Sequence, residues 1–203
     1  KPQVGLNYSS SPSNGHLGVG WGLSGLSAIS RCEQNVETDG TVTKVNFTNS
    51  DRFCLDGQRL IVKNGQTYGN NGTEYRTAQN SFQKVTAQTS STSAGPNSFV
   101  VKDTNGNTFY YGKLGSDTQA LIKTPDNKHF AWALKKVQDV SGNYYTYSYA
   151  KVSGSLEYYI TQINYSGHTS HSTKNKVTFS YGSRSDTSET YIAGYKLSVT
   201  KRL

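Results

Sequence analysis

Apolar and polar residues alternate with a period of two along much of this chain. Phe130, Trp132 and Leu134 alternate with Ala131, Ala133 and Lys135. Tyr145, Tyr147 and Tyr149 alternate with Thr146 and Ser148, and Tyr191, Ala193, Tyr195, Leu197 and Val199 with more polar neighbours. Successive side chains of a strand point to opposite faces, so each run predicts a half-buried β-strand. Between the runs, Asp39-Gly40, Asn64-Gly65, Asn105-Gly106 and Ser141-Gly142 supply residues that tolerate the left-handed conformations of tight hairpin turns. The pattern predicts an all-β chain of a dozen or more short, mostly antiparallel strands. They are expected to form a curved, shell-like sheet or an irregular barrel or sandwich with glycine-rich loops.

Two hairpins share one spelling, D-x-x-G-N followed by an aromatic strand. They are Asp103 to Asn107 before Thr108-Phe109-Tyr110-Tyr111, and Asp139 to Asn143 before Tyr144-Tyr145-Thr146-Tyr147. Asn70 to Asn80 and the Ser/Thr-rich Thr86 to Pro96 read as exposed loops. The opening stretch Gly5 to Gly25 strings six glycines around Trp21. It predicts a strand over Val4 to Tyr8, a tight serine-rich loop, and a glycine-lined turn whose indole fills a pocket that the local chain cannot provide.

That opening stretch, together with RFCLDGQRL (Arg52 to Leu60), EYRT (Glu74 to Thr77) and WALKKVQDVSGNYYTYSY (Trp132 to Tyr149), resembles a known family. It is the amino-terminal domain shared by the SpvB virulence protein and the B component of insecticidal toxin complexes, related to the Rhs/YD-repeat shell proteins. The aromatic hairpin repeat is similar to the YD-repeat hairpin of those shells, where cross-strand rings hold register. The resemblance implies a secreted bacterial toxin or virulence protein. In it this region contributes β-strands to a shell, catalysis lies elsewhere, and the partners are other parts of its own polypeptide or toxin-complex subunits.

Composition agrees with a strand-rich reading. Residues 1–203 can form one β-rich domain with a sizeable core. Hydrophobic content of 33% is low, but 15 tyrosines and 7 phenylalanines supply apolar area with a polar tip, suited to strands buried on one face. With no methionine and Lys1 at its head, the sequence reads as one stretch of a longer polypeptide. No apolar run reaches the roughly 18 residues of a helical membrane span. The net charge of +8 comes from scattered residues such as Lys123, Lys128, Lys151 and Lys174, without a nucleic-acid motif. No nucleic-acid partner is expected, and the charge solubilises a tyrosine-rich sheet.

Candidate chemistry is sparse. Cys32 and Cys54 admit one disulfide, closing a loop of roughly 20 residues and stabilising by about 3 kcal/mol, or else two buried thiols packed as small hydrophobes. His168 and His171 lie in a serine-rich turn without a carboxylate or cysteine nearby to complete a metal set. Asp103 to Asn107 imitates the start of a calcium loop, yet Thr108 and Leu114 stand where Gly and the bidentate Glu belong. Ser24 lacks the spacing of a nucleophile elbow, and Cys54 has no neighbouring histidine. The expectation is therefore no catalysis, no metal and no cofactor, with Trp21 and Trp132 structural. The alternative is an extracellular module binding a glycan or protein through Tyr110, Tyr144 and Tyr158. Terminal strands lacking a partner would favour self-association by strand addition.

Overall fold

The computed structural model describes residues 1–10, 14–88 and 94–203. The chain opens with β1 (Gly5–Tyr8), the two-residue strands β2 (Asn14–Gly15) and β3 (Gly18–Val19), and β4 (Trp21–Ser24). Next come β5 (Ala28–Cys32), a one-turn helix α1 (Val36–Asp39), β6 (Arg52–Leu55), β7 (Gln58–Val62), β8 (Glu74–Thr77), β9 (Lys84–Gln88), β10 (Ser98–Lys102) and β11 (Thr108–Gly112). A short β12 (Leu121–Lys123) precedes three long strands, β13 (His129–Gln138), β14 (Asn143–Lys151) and β15 (Tyr158–His168). Finally β16 (Asn175–Thr178) leads to the hairpin of β17 (Gly182–Ile192) and β18 (Tyr195–Arg202).

Eight of these strands close into an antiparallel barrel. The order β11-β10-β9-β8-β7-β6-β5-β13 returns to its start because β13 pairs with β11 as well as with β5. Closure leaves no free edge on these eight strands, and at this strand number side chains alone can fill the interior. The filling is aromatic. Phe53 meets Trp132, Phe99 and Tyr75 edge-on at centroid distances of 5.3, 5.2 and 6.3 Å, and Phe99 meets Trp132 at 5.0 Å. Ile29, Leu60 and Val85 complete this fully buried layer. Trp132 has no exposed surface, and its indole N–H donates to the Pro96 carbonyl at 2.7 Å. Gly112 makes room for it, since a Cβ there would come within 2.5 Å of the indole.

From β13 the sheet also leaves the barrel, through β14 and β15 to β16, where it ends. Strand β13 therefore serves two walls, and the half-buried pattern expected of it is not what it shows. Ala131 through Lys135 are buried without interruption. Trp132 faces the barrel core, while Ala133 lies under Tyr149 and Tyr158 and Lys135 is paired with Asp117 at 2.6 Å. Strand β14 keeps the expected alternation, with Tyr147 and Tyr149 buried between less buried Thr146 and Ser148.

The two D-x-x-G-N turns have the same internal chemistry. Asp103 accepts from the backbone N–H and side-chain amide of Asn107, both at 2.8 Å. Asp139 does the same with Asn143 at 2.8 and 2.9 Å. Because β11 pairs with β13, the two hairpins lie side by side at one end of the barrel.

Several expectations are corrected. Asp39-Gly40 is no hairpin turn: Gly40 caps α1, and Asp39 takes ion pairs from Arg52 and Arg59 at 2.7 and 2.9 Å. Asn70 to Asn80 is not a loop throughout, since it contains β8 with Tyr75 buried. Thr86 to Gln88 belong to β9, and residues 89–93, like residues 11–13 of the serine-rich loop, lie outside those described. The terminal run from Tyr191 is not one strand. Ala193 and Gly194, both at positive φ, turn it into the β17–β18 hairpin, so that the terminal strands β1 and β18 have partners in β4 and β17.

Candidate functional site

The two ends of the barrel differ. At one end Arg31 is buried and fully engaged. Its Nε donates to the His129 carbonyl at 2.6 Å, Nη1 to Asp51 at 3.0 Å and to the Thr48 carbonyl at 3.1 Å, and Nη2 to the Ala94 carbonyl at 3.2 Å. His129 Nδ1 and the Trp132 indole share the Pro96 carbonyl. Burial lowers the His129 pKa, favouring the neutral ring, in spite of its hydrogen bond to Pro96. This polar plug fills much of that end and leaves a smaller cleft of about 220 Å³ beside Arg31, Tyr68 and Pro96.

The other end is open. A cavity of about 520 Å³ is lined by strand-end residues including Gln58, Thr77, Gln83, Phe109 and Tyr145. Beside it lies a depression of about 750 Å³ between the two D-x-x-G-N turns, which shares Phe109 and Tyr145 with the first. A third cleft, about 500 Å³, runs between the amino-terminal strands and β15, with Trp21, Tyr159 and Tyr181 among its walls.

The tyrosines proposed from sequence separate. Tyr110 and Tyr144 come together on the outer face, both under the Lys136 ammonium at 5.7 and 4.4 Å from their ring centroids. That is cation–π packing across three neighbouring strands. Tyr158 is elsewhere, half-buried in the wall of the third cleft. It packs on Tyr149 at 6.0 Å, and burial pushes its hydroxyl up to about 12. Trp21 departs from its expected pocket: it is 48% exposed, its ring tilted against Tyr8 at 5.3 Å. The neighbouring Gly20 and Gly22 bring Tyr8 and Asn7 close instead of enclosing the indole.

Cys32 and Cys54 are joined as a disulfide between the adjacent strands β5 and β6, with Cα atoms 5.9 Å apart. Among the described residues no three His, Cys, Asp or Glu side chains are grouped to hold a metal. His168 is held by Ser170 and by the Ser141 carbonyl at 2.7 and 3.0 Å, and the Asp103 carboxylate is spent on its own turn.

Sequence reasoning missed Glu157. Its buried carboxylate accepts from Ser198 Oγ, Thr200 N and Thr200 Oγ1 at 2.8 to 2.9 Å and from Lys201 N at 3.2 Å, and it meets His16 Nε2 at 3.3 Å. Burial raises its pKa, but the bonds from Thr200, Ser198 and His16 outweigh that and leave it below the ordinary value. Glu157 thus ties the β17–β18 hairpin to the body. The available signal was a lone acid between Leu156 and an aromatic doublet; its partners lie some 40 residues away, beyond the reach of a local pattern.

With this geometry in hand, comparison with known proteins is decisive for the family. The family model of SpvB, the Salmonella virulence plasmid 65kDa B protein, matches residues 1–201. The chain belongs to the SpvB family. No curated protein sequence matches it. Among solved structures, the N-terminal domain of effector protein SpvB from Salmonella typhimurium strain LT2 superposes with a TM-score of 0.77 at 19% identity, over 99% of this chain and 80% of that one. The TcdB2-TccC3-Cdc42 crystal structure gives 0.75 at 17% identity over 99% of this chain, and a Photorhabdus luminescens Tc holotoxin pore gives 0.72 at 17% identity over the same share. This chain spans 12% of each of those two toxin chains. At such identities the superpositions establish the shared β-barrel fold.

Proposed function

We propose that this domain is a non-catalytic structural segment of a larger secreted bacterial toxin polypeptide, contributing to a β-shell that encloses or presents a toxic effector. The observation that supports this reading best is the sheet that leaves the barrel. Strands β14 and β15, 9 and 11 residues long, are not needed for closure; they carry the ladder outward to β16, which is exposed along its length and, among the described residues, has a partner on one side only. Such an edge is where a neighbouring wall segment joins by main-chain hydrogen bonds. Continuous hydrogen-bonded sheet gives a wall that isolates its contents. The ribbon β1–β4 adds an apolar surface on the outside, with Leu6 and Tyr8 each 64% exposed beside Trp21, the kind of patch that other parts of an assembly cover.

An electron cryomicroscopy map of the full-length polypeptide tests the proposal. The expected result is this domain embedded in a wall, with the β14–β16 sheet continuing into a neighbouring segment. A domain tethered freely outside the assembly, with β16 still at an edge, would contradict it.

A further inference from the structure

We propose that the open mouth of the barrel is a binding site for a neutral oligosaccharide, a role separate from that of a wall. The argument starts from the difference between the ends. The plugged end contains Arg31, Asp51 and His129, all engaged with one another or with backbone. The open end leads into a cavity of about 520 Å³, and the neighbouring 750 Å³ depression shares Lys1, Phe109 and Tyr145 as walls with it. Both volumes lie in the range of small-molecule sites, for which a barrel mouth is a favoured place.

The lining selects the class of ligand. Because β11 and β13 close the barrel, the mouth offers no free strand edge, so an extended peptide has no ladder to join there. Recognition must come from side chains. The uncharged ones include the half-buried rings of Phe109 and Tyr145, three glutamines (Gln3, Gln58 and Gln83) and the Tyr145 hydroxyl; the Thr77 hydroxyl is spent on Gln79 and Ser81. Rings pack on the apolar faces of a sugar, while amides and hydroxyls donate to and accept from its equatorial oxygens.

Tyrosines aside, the charged or ionisable side chains on the two linings are Lys1, Asp56, Asp139 and His171, and both carboxylates are already spent. Asp56 already accepts from Ala28 N at 2.9 Å and Ser27 Oγ at 2.7 Å, and Asp139 is bound within its turn. Lys1 is the one cation on both linings. A phosphorylated or sulfated ligand would find no cationic clamp, whereas a neutral sugar needs none. Phe109 and Tyr145, standing between the two hollows, form a ridge against which successive sugar rings of one chain can pack.

The test titrates the intact chain with maltotriose, cellotriose, triacetylchitotriose and N-acetyllactosamine, by calorimetry and by aromatic-ring chemical-shift mapping. At least one sugar is expected to bind and to shift the ring signals of Phe109 and Tyr145. The double variant Gln58→Ala/Gln83→Ala, whose changes leave the aromatic core intact, is expected to bind roughly tenfold more weakly, as loss of two hydrogen-bonding groups implies. If that variant unfolds, Tyr145→Phe, which removes one hydroxyl and keeps the ring, is expected to weaken binding in the same direction. No binding across the panel, undiminished binding by the folded double variant or by Tyr145→Phe, or shifts confined to Trp21 and Tyr159 would each overturn the proposal.

Discussion

Trp132 is wholly buried in an aromatic layer with its N–H bonded, whereas Trp21 sits half-exposed on a two-stranded ribbon. Replacing each by alanine separates core from surface. Trp132→Ala is expected to cost about 3–5 kcal/mol, the range for emptying a large aromatic site. Trp21→Ala is expected to cost about 1 kcal/mol, chiefly its ring contact with Tyr8. Denaturant midpoints of the two variants check this, and equal losses would count against it. The sequence marked both indoles as structural, Trp132 from its alternating run and Trp21 from the glycines around it. It could not distinguish them: Gly112, which makes room for Trp132, is 20 residues away in the chain, while the glycines around Trp21 allow close backbone approach without supplying walls.

At the scale of elements, two long-range ties deserve tests. The Cys32–Cys54 bond closes a separation of 22 residues between β5 and β6. Cys32→Ser/Cys54→Ser is expected to lower stability by about 3 kcal/mol, measured against the oxidised protein in denaturant. The second tie is Glu157. Its folded pKa is depressed, so the stabilisation is fully present above the ordinary glutamate value of 4.5 and is lost as pH falls through the lower folded value. The β17–β18 hairpin is therefore expected to loosen under acid before the barrel does. Glu157→Gln should loosen it at neutral pH, at a cost of about 2 kcal/mol for the weakened charge-assisted bonds. Proteolysis within residues 182–202 reads both effects, and a hairpin as resistant at low pH as at neutral pH would refute the assignment.

Elements built from local signals were legible. The alternation of β14 and the two D-x-x-G-N turns follow from short-range chemistry. Elements decided by distant partners were not. Buried on both faces, β13 cannot show the period of two; Gly40 ends a helical turn because Asn35 caps it; and Ala193-Gly194 can turn because it lies between residues that prefer each other across a hairpin, as in the Tyr191–Lys196 pair.

At the scale of the whole molecule, the all-β class and the family were legible, while barrel closure was not, since it rests on the pairing of β11 with β13 through a bulge at Tyr110/Tyr111. The mouth was invisible for the same reason: Gln58, Thr77 and Gln83 become neighbours of Phe109 only once the barrel has closed. Of the tyrosines chosen as a binding surface, Tyr110 and Tyr144 share one face by register, whereas Tyr158 stands apart beside Tyr149 in the wall of the third cleft. Outside the barrel, the edge at β16 bears Lys176, a charge that discourages pairing between separate copies. An attached neighbour, held at high effective concentration, overcomes that more readily.

The central claim is that this domain is one piece of a continuous β-wall, and amide hydrogen exchange at β16 tests it most directly. In the isolated chain, amides of Asn175–Thr178 that point away from β15 are expected to exchange rapidly. In the full-length polypeptide the same amides are expected to be protected at least roughly tenfold, as paired strand amides are. Equal, rapid exchange in both would contradict the wall.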